Sequence, residues 1–350
     1  MTSLSDISEI VIGVDTHVDT HTAAIVETAT GGVLAEITVP TTCAGYQQLL
    51  ELAQEHSPLR VWAIEGTSGH GAGLSKLLEH AHEVVLELDR PERAQRRNGA
   101  KSDPLDAVRA AREAMTRPHH GTPRTGPQRQ ALSVLLAARR SAVTARTAAQ
   151  RQLFSLTIAA PEILRVKLRD RKLPEMVQIA ARFRIQSTWD VETATTAQVL
   201  RDLARRAQAL QSEADEHEKQ IRAIVRSWRA DLLNQTGIGP IVAATVLCAW
   251  SHPGRVRDEA AFAMLAGVAP LPANSGKVTT RYRLNRYGDR QLNRALHTIV
   301  LARQRYDQAT KDYTNRRTAE GRTPREIKRC LKRYIARDLY RLLQNPPLPT

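Results

Sequence analysis

The sequence predicts an α/β domain followed by a larger, mainly helical part, and three observations lead to this fold class. Apolar, β-branched runs in residues 9–88 alternate with segments of helical period. A stretch rich in proline and glycine, residues 116–128, then interrupts the pattern and is predicted to be a linker. Beyond it, nearly all the apolar patterns have the period of a helix.

The first part predicts a mixed sheet covered by helices. Residues 9–17, 20–28 and 33–40 are strand-like runs separated by turn signals, so they predict an antiparallel three-stranded meander. Helices over 43–56 and 73–82 then alternate with strands over 60–69 and 83–89. Strands followed by this alternation are typical of a mixed α/β sheet.

Two of the predicted strands end in carboxylates. Asp15 ends the first strand and Glu65 the fourth, and both would face one crevice if these strands are neighbours. A helix is predicted to start at an N-cap, Ser102, so that Asp103 and Asp106, three residues apart, share one face. Four converging carboxylates would repel each other unless a cation neutralises them, and hard oxygen ligands suit Mg²⁺ or Mn²⁺. The alternatives are that the two helical acids complement the helix dipole and that Asp15 is a turn residue.

A long heptad pattern follows a predicted Ala- and Arg-rich helix over residues 130–156. Spacings of three and four alternate along one seam, which predicts a coiled coil that self-associates. The members of the seam are Leu200, Leu203, Ala207, Leu210, Ala214, His217, Ile221, Ile224 and Trp228. His217, its one polar member, either fixes the register or is a tolerated residue at a looser layer.

The charge is divided unevenly along the chain. The formal net charge is +15, yet residues 1–88 contribute −10 and the remaining residues +25. This asymmetry predicts a polyanionic partner for the second part, with an arginine-rich solvated surface as the alternative. The turn with Gly237 and Gly239 between two apolar helices predicts a helix-hairpin-helix, whose backbone amides approach a DNA phosphate; the alternative is an ordinary tight turn.

A proline-flanked loop places Ser275 next to a basic run with interleaved tyrosines. Such a run suits phosphate contacts and base stacking. Its basic residues are Lys277, Arg281, Arg283, Arg286 and Arg290. By its chemistry alone, Ser275 is a nucleophile, a phosphate contact or a turn residue. A last helix, residues 325–344, has apolar residues roughly along one side and basic residues opposite, so it is either a nucleic-acid contact or a surface helix docked on the second domain. The apolar residues are Ile327, Leu331, Tyr334, Leu339 and Leu342.

Together these motifs resemble the insertion-sequence 110 family of transposases. Asp15 in GVDTH, Glu65 in AIEGT, and Asp103 with Asp106 in KSDPLDA are similar to the DEDD tetrad of that family. Pro272, Ser275, Gly276 and the segment LNRAL are similar to the serine loop and helix of its second domain. The resemblance covers nearly the whole chain, with both domains in order.

The resemblance implies a fold, a chemistry and partners. The first domain would be RuvC-like, of the ribonuclease H superfamily, and its tetrad would bind Mg²⁺. Ser275 would attack the DNA and form a covalent phosphoserine intermediate. A structured noncoding RNA would select donor and target DNA, and a coiled coil would bring protomers together so that tetrad and serine meet across them.

These inferences predict three domains: a RuvC-like catalytic domain at residues 1–117, a linker and coiled-coil region at 118–230, and a serine-loop domain with the helix-hairpin-helix at 231–350. The absence of a signal-peptide pattern and of a long apolar run predicts a cytoplasmic protein with no membrane partner. The resemblance to transposases implies that it associates with the bacterial nucleoid. The three cysteines, Cys43, Cys248 and Cys330, are expected to be reduced packing residues. The alternative functions are a metal-dependent junction nuclease that uses water as nucleophile, a sugar kinase and a non-enzymatic RNA-binding scaffold.

Overall fold

The structure is a computed structural model that describes residues 4–88, 103–117, 119–272, 282–285 and 287–345. The chain forms two compact units. Unit 1 comprises the residues up to Thr125 together with His252–Val256, and unit 2 comprises Gly126–Ser251 and Arg257–Thr350. The division into three domains stays a prediction.

Unit 1 contains a five-stranded mixed sheet. Its strands are β1 (Ile10–Thr16), β2 (Thr20–Glu27), β3 (Val33–Pro40), β4 (Arg60–Glu65) and β5 (Val85–Leu88). Their order is β3-β2-β1-β4-β5; the first three pair antiparallel, whereas β4 pairs parallel with both β1 and β5. The predicted meander is confirmed, and the first and fourth strands are neighbours, which is the condition under which Asp15 and Glu65 were expected to face one crevice.

Helices cover both faces of this sheet. α1 (Cys43–His56) and α2 (Ala72–His80) pack on one face, where Trp62 and Ile64 of β4 are fully buried. α3 (Asp103–Thr116) packs on the other face through its alanines and contacts Val61 and Ala63 of the same strand. Alternate residues of each strand therefore face different helices, as the pleat of a strand requires.

Gly13 in β1 lets α3 approach the sheet closely. A Cβ at this position would lie 2.0 Å from the carbonyl oxygen of Ala107 and 2.5 Å from the amide nitrogen of Ala111. Both contacts are with the helix backbone, so rotating a side chain cannot relieve them. Gly13 thereby sets the distance between β1 and the start of α3.

Unit 2 is mainly helical. Its helices are α4 (Pro127–Ile158), α5 (Glu162–Leu168), α6 (Leu173–Ala180), α7 (Val191–Leu233), α8 (Pro240–Trp250), α9 (Glu259–Leu265), α10 (Arg290–Tyr306), α11 (Gln308–Ala319) and α12 (Pro324–Gln344). Two short antiparallel strands, β6 (Pro270–Pro272) and β7 (Tyr282–Leu284), flank the serine loop and were not predicted. Side chains cap several helices at their start, among them Asp289 on α10 and the capping box of Thr323 and Glu326 on α12.

The seam predicted on α7 packs in part against α4 of the same chain. Arg139 of α4 pairs with Glu218 of α7 at 2.8 Å, and Arg146 contacts Gln211, so the two helices run antiparallel. One row of the heptad is buried, namely Leu200, Ala207, Ala214 and Ile221. In the other row Leu203 is buried, while Leu210, His217 and Ile224 stay half-buried. Self-association through a coiled coil stays a prediction.

α7 kinks near its end at Arg229, where the backbone leaves helical geometry (φ −147°, ψ 65°). The guanidinium of Arg229 is buried and pairs with Asp231 at 2.6 Å. It also donates hydrogen bonds to the carbonyl oxygens of Leu342 and Leu343, at 2.8 and 3.2 Å. These carbonyls end α12, so the side chain satisfies acceptors that a helix end leaves without partners.

The apolar side of α12 is buried in part. The buried stripe of α12 runs through Ile327, Leu331, Ile335, Leu339 and Leu343, at steps of four. Tyr334 is 42% exposed and Leu342 is half-buried, because each lies one position before a member of that row and both therefore fall on the same side of it.

The prediction that all three cysteines are packing residues was wrong for Cys43. The structure places all three as free thiols, but Cys43 is exposed at the first residue of α1 rather than packed in a core. No helix among the described residues is long and apolar enough to cross a membrane.

Candidate functional site

Asp15 and Glu65 lie side by side at the carboxyl edge of the sheet. The parallel ladder of β1 and β4 pairs Val14 with Ile64, and the two acids are the next residue in each strand. The hydroxyl of Thr16 donates to the Glu65 carbonyl oxygen at 2.9 Å and ties the two strand ends together. Because side chains alternate, both acids belong to the face that α3 covers.

The acids of α3 stand over the same edge. Asp103 and Asp106 lie in the first turn of the helix, and Pro104 is accommodated there as predicted. Close packing of α3 on β1 at Gly13 brings this turn towards Asp15. The structure thus brings together the edge with Asp15 and Glu65 and the helix face with Asp103 and Asp106.

The electrostatics of Asp15 reflect this crowding. Burial raises the pKa of Asp15 most, and the charges of Asp106 and Asp103 raise it further, while His17 opposes the shift. The side chain of Asp15 is 16% exposed, whereas that of Asp103 is 51% exposed. An ionised carboxylate at this position is therefore unfavourable unless a cation approaches it.

His17 is a member of this cluster that the sequence reasoning missed. Its Nε2 lies 3.1 Å from an Asp15 oxygen and 3.5 Å from an Asp103 oxygen. A signal was present, since His17 follows Asp15 by two residues and the strand period puts both on one face. A second basic residue, Arg109, pairs with Asp106, with 2.7 Å between a guanidinium nitrogen and a carboxylate oxygen.

The donor set fits a divalent cation. One ligand atom each from Asp15, His17 and Asp103 lies within 4.8 Å of the other two. Carboxylate oxygens suit hard cations such as Mg²⁺ and Mn²⁺, and an imidazole nitrogen is accepted more readily by Mn²⁺. The repulsion felt by Asp15 supplies the physical reason for a cation there.

The glycine turn joins α7 to α8 within unit 2. Gly237 has φ +86°, and a Cβ there would come within 2.9 Å of Ala302 and 3.2 Å of Ile299 in α10. Gly239 precedes Pro240 at the start of α8, and a Cβ on it would meet nothing within 4 Å. The close contact with α10 explains why residue 237 is a glycine. No such contact exists at Gly239, where the open space leaves room for a ligand. A helix-hairpin-helix that binds DNA stays a prediction.

The predicted serine site is described only at its flanks. Arg283 in β7 and Arg290 at the start of α10 are exposed, which suits contacts with phosphates. The other predicted members of this loop, Ser275, Gly276, Lys277, Arg281 and Arg286, lie outside the described residues, as does the predicted N-cap Ser102.

A buried ion-pair network in unit 1 was also missed by the sequence reasoning. The Glu87 carboxylate accepts from Thr67 at 2.8 Å and from Arg255 at 3.1 Å, and it contacts Arg124 at 3.4 Å. Arg255 also donates to the carbonyl oxygen of Thr122. The network holds His252–Val256 in unit 1, and no local pattern marks a contact between residues so far apart in the chain.

Comparisons with known proteins agree with this geometry. Residues 12–157, which include the four acids, match a family model described as "Transposase" (DEDD_Tnp_IS110). Residues 230–315, which include the glycine turn and the serine loop, match the model "Transposase IS116/IS110/IS902 family".

A similar protein is the "Insertion element IS900 uncharacterized 42 kDa protein" of Mycobacterium paratuberculosis. It is 29% identical over 157 residues, which cover 43% of this chain and 38% of that protein. The match therefore spans less than half of either chain.

Proposed function

Because this chain belongs to the IS110 family of DEDD insertion-sequence transposases, we propose that it cleaves and rejoins DNA through a serine nucleophile at a site that uses divalent metal. The observation that carries the proposal is the convergence of Asp15, Glu65 and the first turn of α3 on one edge of the sheet. Crowded acids of this kind serve phosphoryl transfer in metal-dependent enzymes.

The carboxylates have the role of holding cations. Asp15, Glu65, Asp103 and Asp106 would hold Mg²⁺, or Mn²⁺, which when bound supplies positive charge for the oxygens of the scissile phosphodiester. His17 contacts two of the acids, and it would keep them oriented in the metal-free protein. The raised pKa of Asp15 supports this role, because a buried acid among like charges favours the approach of a cation.

Ser275 would carry the covalent step. Its hydroxyl oxygen attacks the phosphorus of a DNA phosphodiester, forms a phosphoserine ester, and displaces one strand end as a hydroxyl that takes up the proton. The hydroxyl of an incoming strand then attacks the phosphoserine, restores a phosphodiester and releases the serine with its proton. One ester bond is exchanged for another, so rejoining needs no nucleotide cofactor.

The second part of the chain would hold the nucleic acids. Residues beyond 88 have a net charge of +25, which supports binding of donor and target DNA and of a structured noncoding guide RNA. Exposed Arg283 and Arg290 would contact backbone phosphates, as would Lys277, Arg281 and Arg286. The open space at Gly239 supports a similar role for the turn amides at Gly237 and Gly239.

A homo-oligomer is part of the proposal. The half-buried row of α7, with Leu210 and Ile224, offers apolar surface that α4 leaves partly open. A second copy could cover this row in a coiled coil, and His217 in the middle of it would favour one register.

A strand-exchange assay tests the proposal. Purified protein, the RNA from the flanks of its element, junction DNA and Mg²⁺ should give recombinant strands. Ser275→Ala should abolish exchange while DNA binding persists, and Thr279→Ala, which removes a hydroxyl four residues along the same loop, should retain it. Cleaved DNA without exchange, unaffected by Ser275→Ala, would identify a nuclease that uses water. Exchange that proceeds equally without the RNA would remove the guide from the proposal.

A further inference from the structure

A cavity of about 820 Å³ lies within unit 2, between the strands β6 and β7 and the helices α10 and α12. We name it the α10–α12 cavity. Ligand sites in proteins are commonly about 300–1,000 Å³ in volume, so this one can take a small organic group. Its walls come from elements that are far apart in the sequence: Arg283, Arg290 and the segment LNRAL belong to the predicted serine-loop region, whereas the residues from α12 belong to no motif of the sequence analysis.

The charge of the cavity has one sign. Every charged residue that lines it in the described part of the chain is basic: Arg283, Arg290, Arg294, Arg329, Lys332 and Arg333. Of these, Arg333 pairs with a carboxylate, that of Glu259, at 3.1 Å. A concave surface of this kind concentrates the positive field and attracts an anion.

Lys332 is held in the cavity wall without a carboxylate partner among the described residues. Its Nζ donates to Asn293 Oδ1 at 2.8 Å, and the Asn293 amide donates in turn to the carbonyl oxygens of Ala266 and Gly267, at 2.7 and 3.3 Å. Burial lowers the pKa of Lys332, and burial followed by the charges of Lys332 and Lys328 lowers that of His297. A bound anion would offset both the burial of the Lys332 ammonium and the repulsion between the two lysines and a protonated His297.

The rest of the lining is apolar or aromatic. Val268, Ala269 and Pro270 line it, together with Tyr282 and Tyr334, which are 64% and 42% exposed. Tyr334 is held in place by an edge contact with Tyr313, with 5.7 Å between the ring centroids. Inorganic anions gain nothing from such surface, whereas the flat face of a nucleobase stacks on it.

The wall of the cavity is formed in advance. A Cβ on Gly288 would lie 2.2 Å from the amide nitrogen of Gly267, so the start of α10 and the turn after α9 are in close contact. The buried side chain of Asn285 fixes the same corner, donating to the Met264 carbonyl oxygen at 3.0 Å and accepting from the Tyr287 amide at 2.9 Å. A preformed site loses little entropy on binding.

We propose that the α10–α12 cavity binds one unpaired nucleotide of a nucleic-acid strand. The phosphate of this nucleotide would lie against Lys332, Arg294 and Arg329, and its base against the apolar residues and the tyrosines of the lining. A paired base cannot enter, because its faces are covered by stacking and its edge by its partner. The inference rests on the proposed function only in taking nucleic acid as the ligand of this chain.

Cys330 lines the cavity and gives a direct measure of its occupancy. In a double variant with Cys43→Ser and Cys248→Ser, Cys330 is the one thiol that remains of the three in the chain. The rate of its reaction with a maleimide would be measured with a blunt DNA duplex, with the same duplex carrying a single-nucleotide bulge, with the matching RNA pair, and with inorganic phosphate. The bulged probe should slow labelling about tenfold when nine sites in ten are filled, and the blunt duplex should not.

Matched substitutions on α12 provide the second measurement. Arg329 lines the cavity and Arg325 does not, and both are exposed, so Arg329→Gln and Arg325→Gln change the charge equally with little risk to folding. Loss of one charge-assisted contact weakens binding about tenfold. Arg329→Gln should lose that factor for the bulged probe alone, whereas Arg325→Gln should weaken both probes slightly and equally.

Each outcome decides the question. Protection by the bulged DNA or by the bulged RNA supports the proposal and identifies which strand supplies the nucleotide. Equal protection by blunt and bulged probes, equal protection by inorganic phosphate, or equal losses in the two arginine variants would overturn it. Failure of these probes alongside intact strand exchange leaves the proposed function standing, whereas a chain that binds neither probe and exchanges no strands contradicts both.

Discussion

Gly13→Ala tests whether the close contact of α3 with β1 positions the acidic cluster. The new Cβ would lie 2.0 Å from the Ala107 carbonyl oxygen, and real contacts of this kind are essentially never shorter than 3.0 Å. α3 must therefore retreat by about 1 Å, and overpacking of this kind costs about 1–3 kcal/mol of unfolding free energy. The retreat also carries Asp103 and Asp106 away from Asp15, and a displacement of about 1 Å at a reacting centre can lower the rate about 10²-fold.

Three measurements on one variant separate the two effects. Urea unfolding gives the loss of stability, calorimetric titration with Mn²⁺ gives the metal affinity, and strand cleavage gives the rate. Gly121→Ala is the matched control in the same unit, because a Cβ there would meet its nearest neighbour at an ordinary 3.6 Å. If Gly13→Ala keeps the stability and the metal affinity of the wild type, then the close contact of α3 with β1 does not position the acidic cluster.

Three further predictions follow from single side chains. Asp15→Asn should raise the melting temperature of the metal-free protein, because it removes a crowded, desolvated charge, and it should abolish the stabilisation that Mn²⁺ gives the wild type in thermal unfolding; a variant that Mn²⁺ stabilises as much as it does the wild type would contradict a metal role for Asp15. Arg229→Met should lower the free energy of unfolding in urea by about 3–5 kcal/mol, since it leaves the Asp231 carboxylate without its partner. Arg226→Met, on the exposed side of the same helix, should lower it little; equal losses in the two variants would mean that the pair of Arg229 and Asp231 does not stabilise the protein. His21 is fully buried, and burial lowers its pKa in the native state. In the unfolded chain a histidine has a pKa of about 6.5, so near and below that pH the unfolded state binds a proton that native His21 does not bind. Stability should therefore fall as the pH drops below that value, and unfolding of His21→Phe across pH 5–8 should show a weaker slope; an unchanged slope would assign the pH dependence elsewhere.

Local patterns predicted most of the α/β part of the fold. The β-branched runs predicted the strands, and the acids at the ends of two of them predicted a shared crevice on the condition that β1 and β4 are neighbours, which only the tertiary fold decides. His17 could have been found by the same strand period. Gly13 could not, since nothing in the sequence shows which strand residue a distant helix will approach.

Long-range contacts account for what the sequence could not predict. Heptad spacing shows that one side of α7 is apolar but not what covers it, and α4 of the same chain covers one row while the other row stays half open. The apolar residues of α12 mark one side of the helix, but the pattern does not show that Tyr334 and Leu342 lie beside the buried row, because helical residues one position apart differ little in pattern but differ in burial. Neither the Glu87 network nor the α10–α12 cavity has a local signature, because each depends on residues that only the tertiary fold brings together.

A covalent bond between Ser275 and DNA separates a serine recombinase from a nuclease, and mass spectrometry detects that bond. The protein would be incubated with the RNA from its element, junction DNA and Mg²⁺, denatured during the reaction and digested. We expect a nucleotide-bearing phosphate on Ser275 in the wild type, and none in Asp15→Asn. DNA cut to free ends in the wild type, with the Ser275 peptide unmodified, would contradict it and make water the nucleophile.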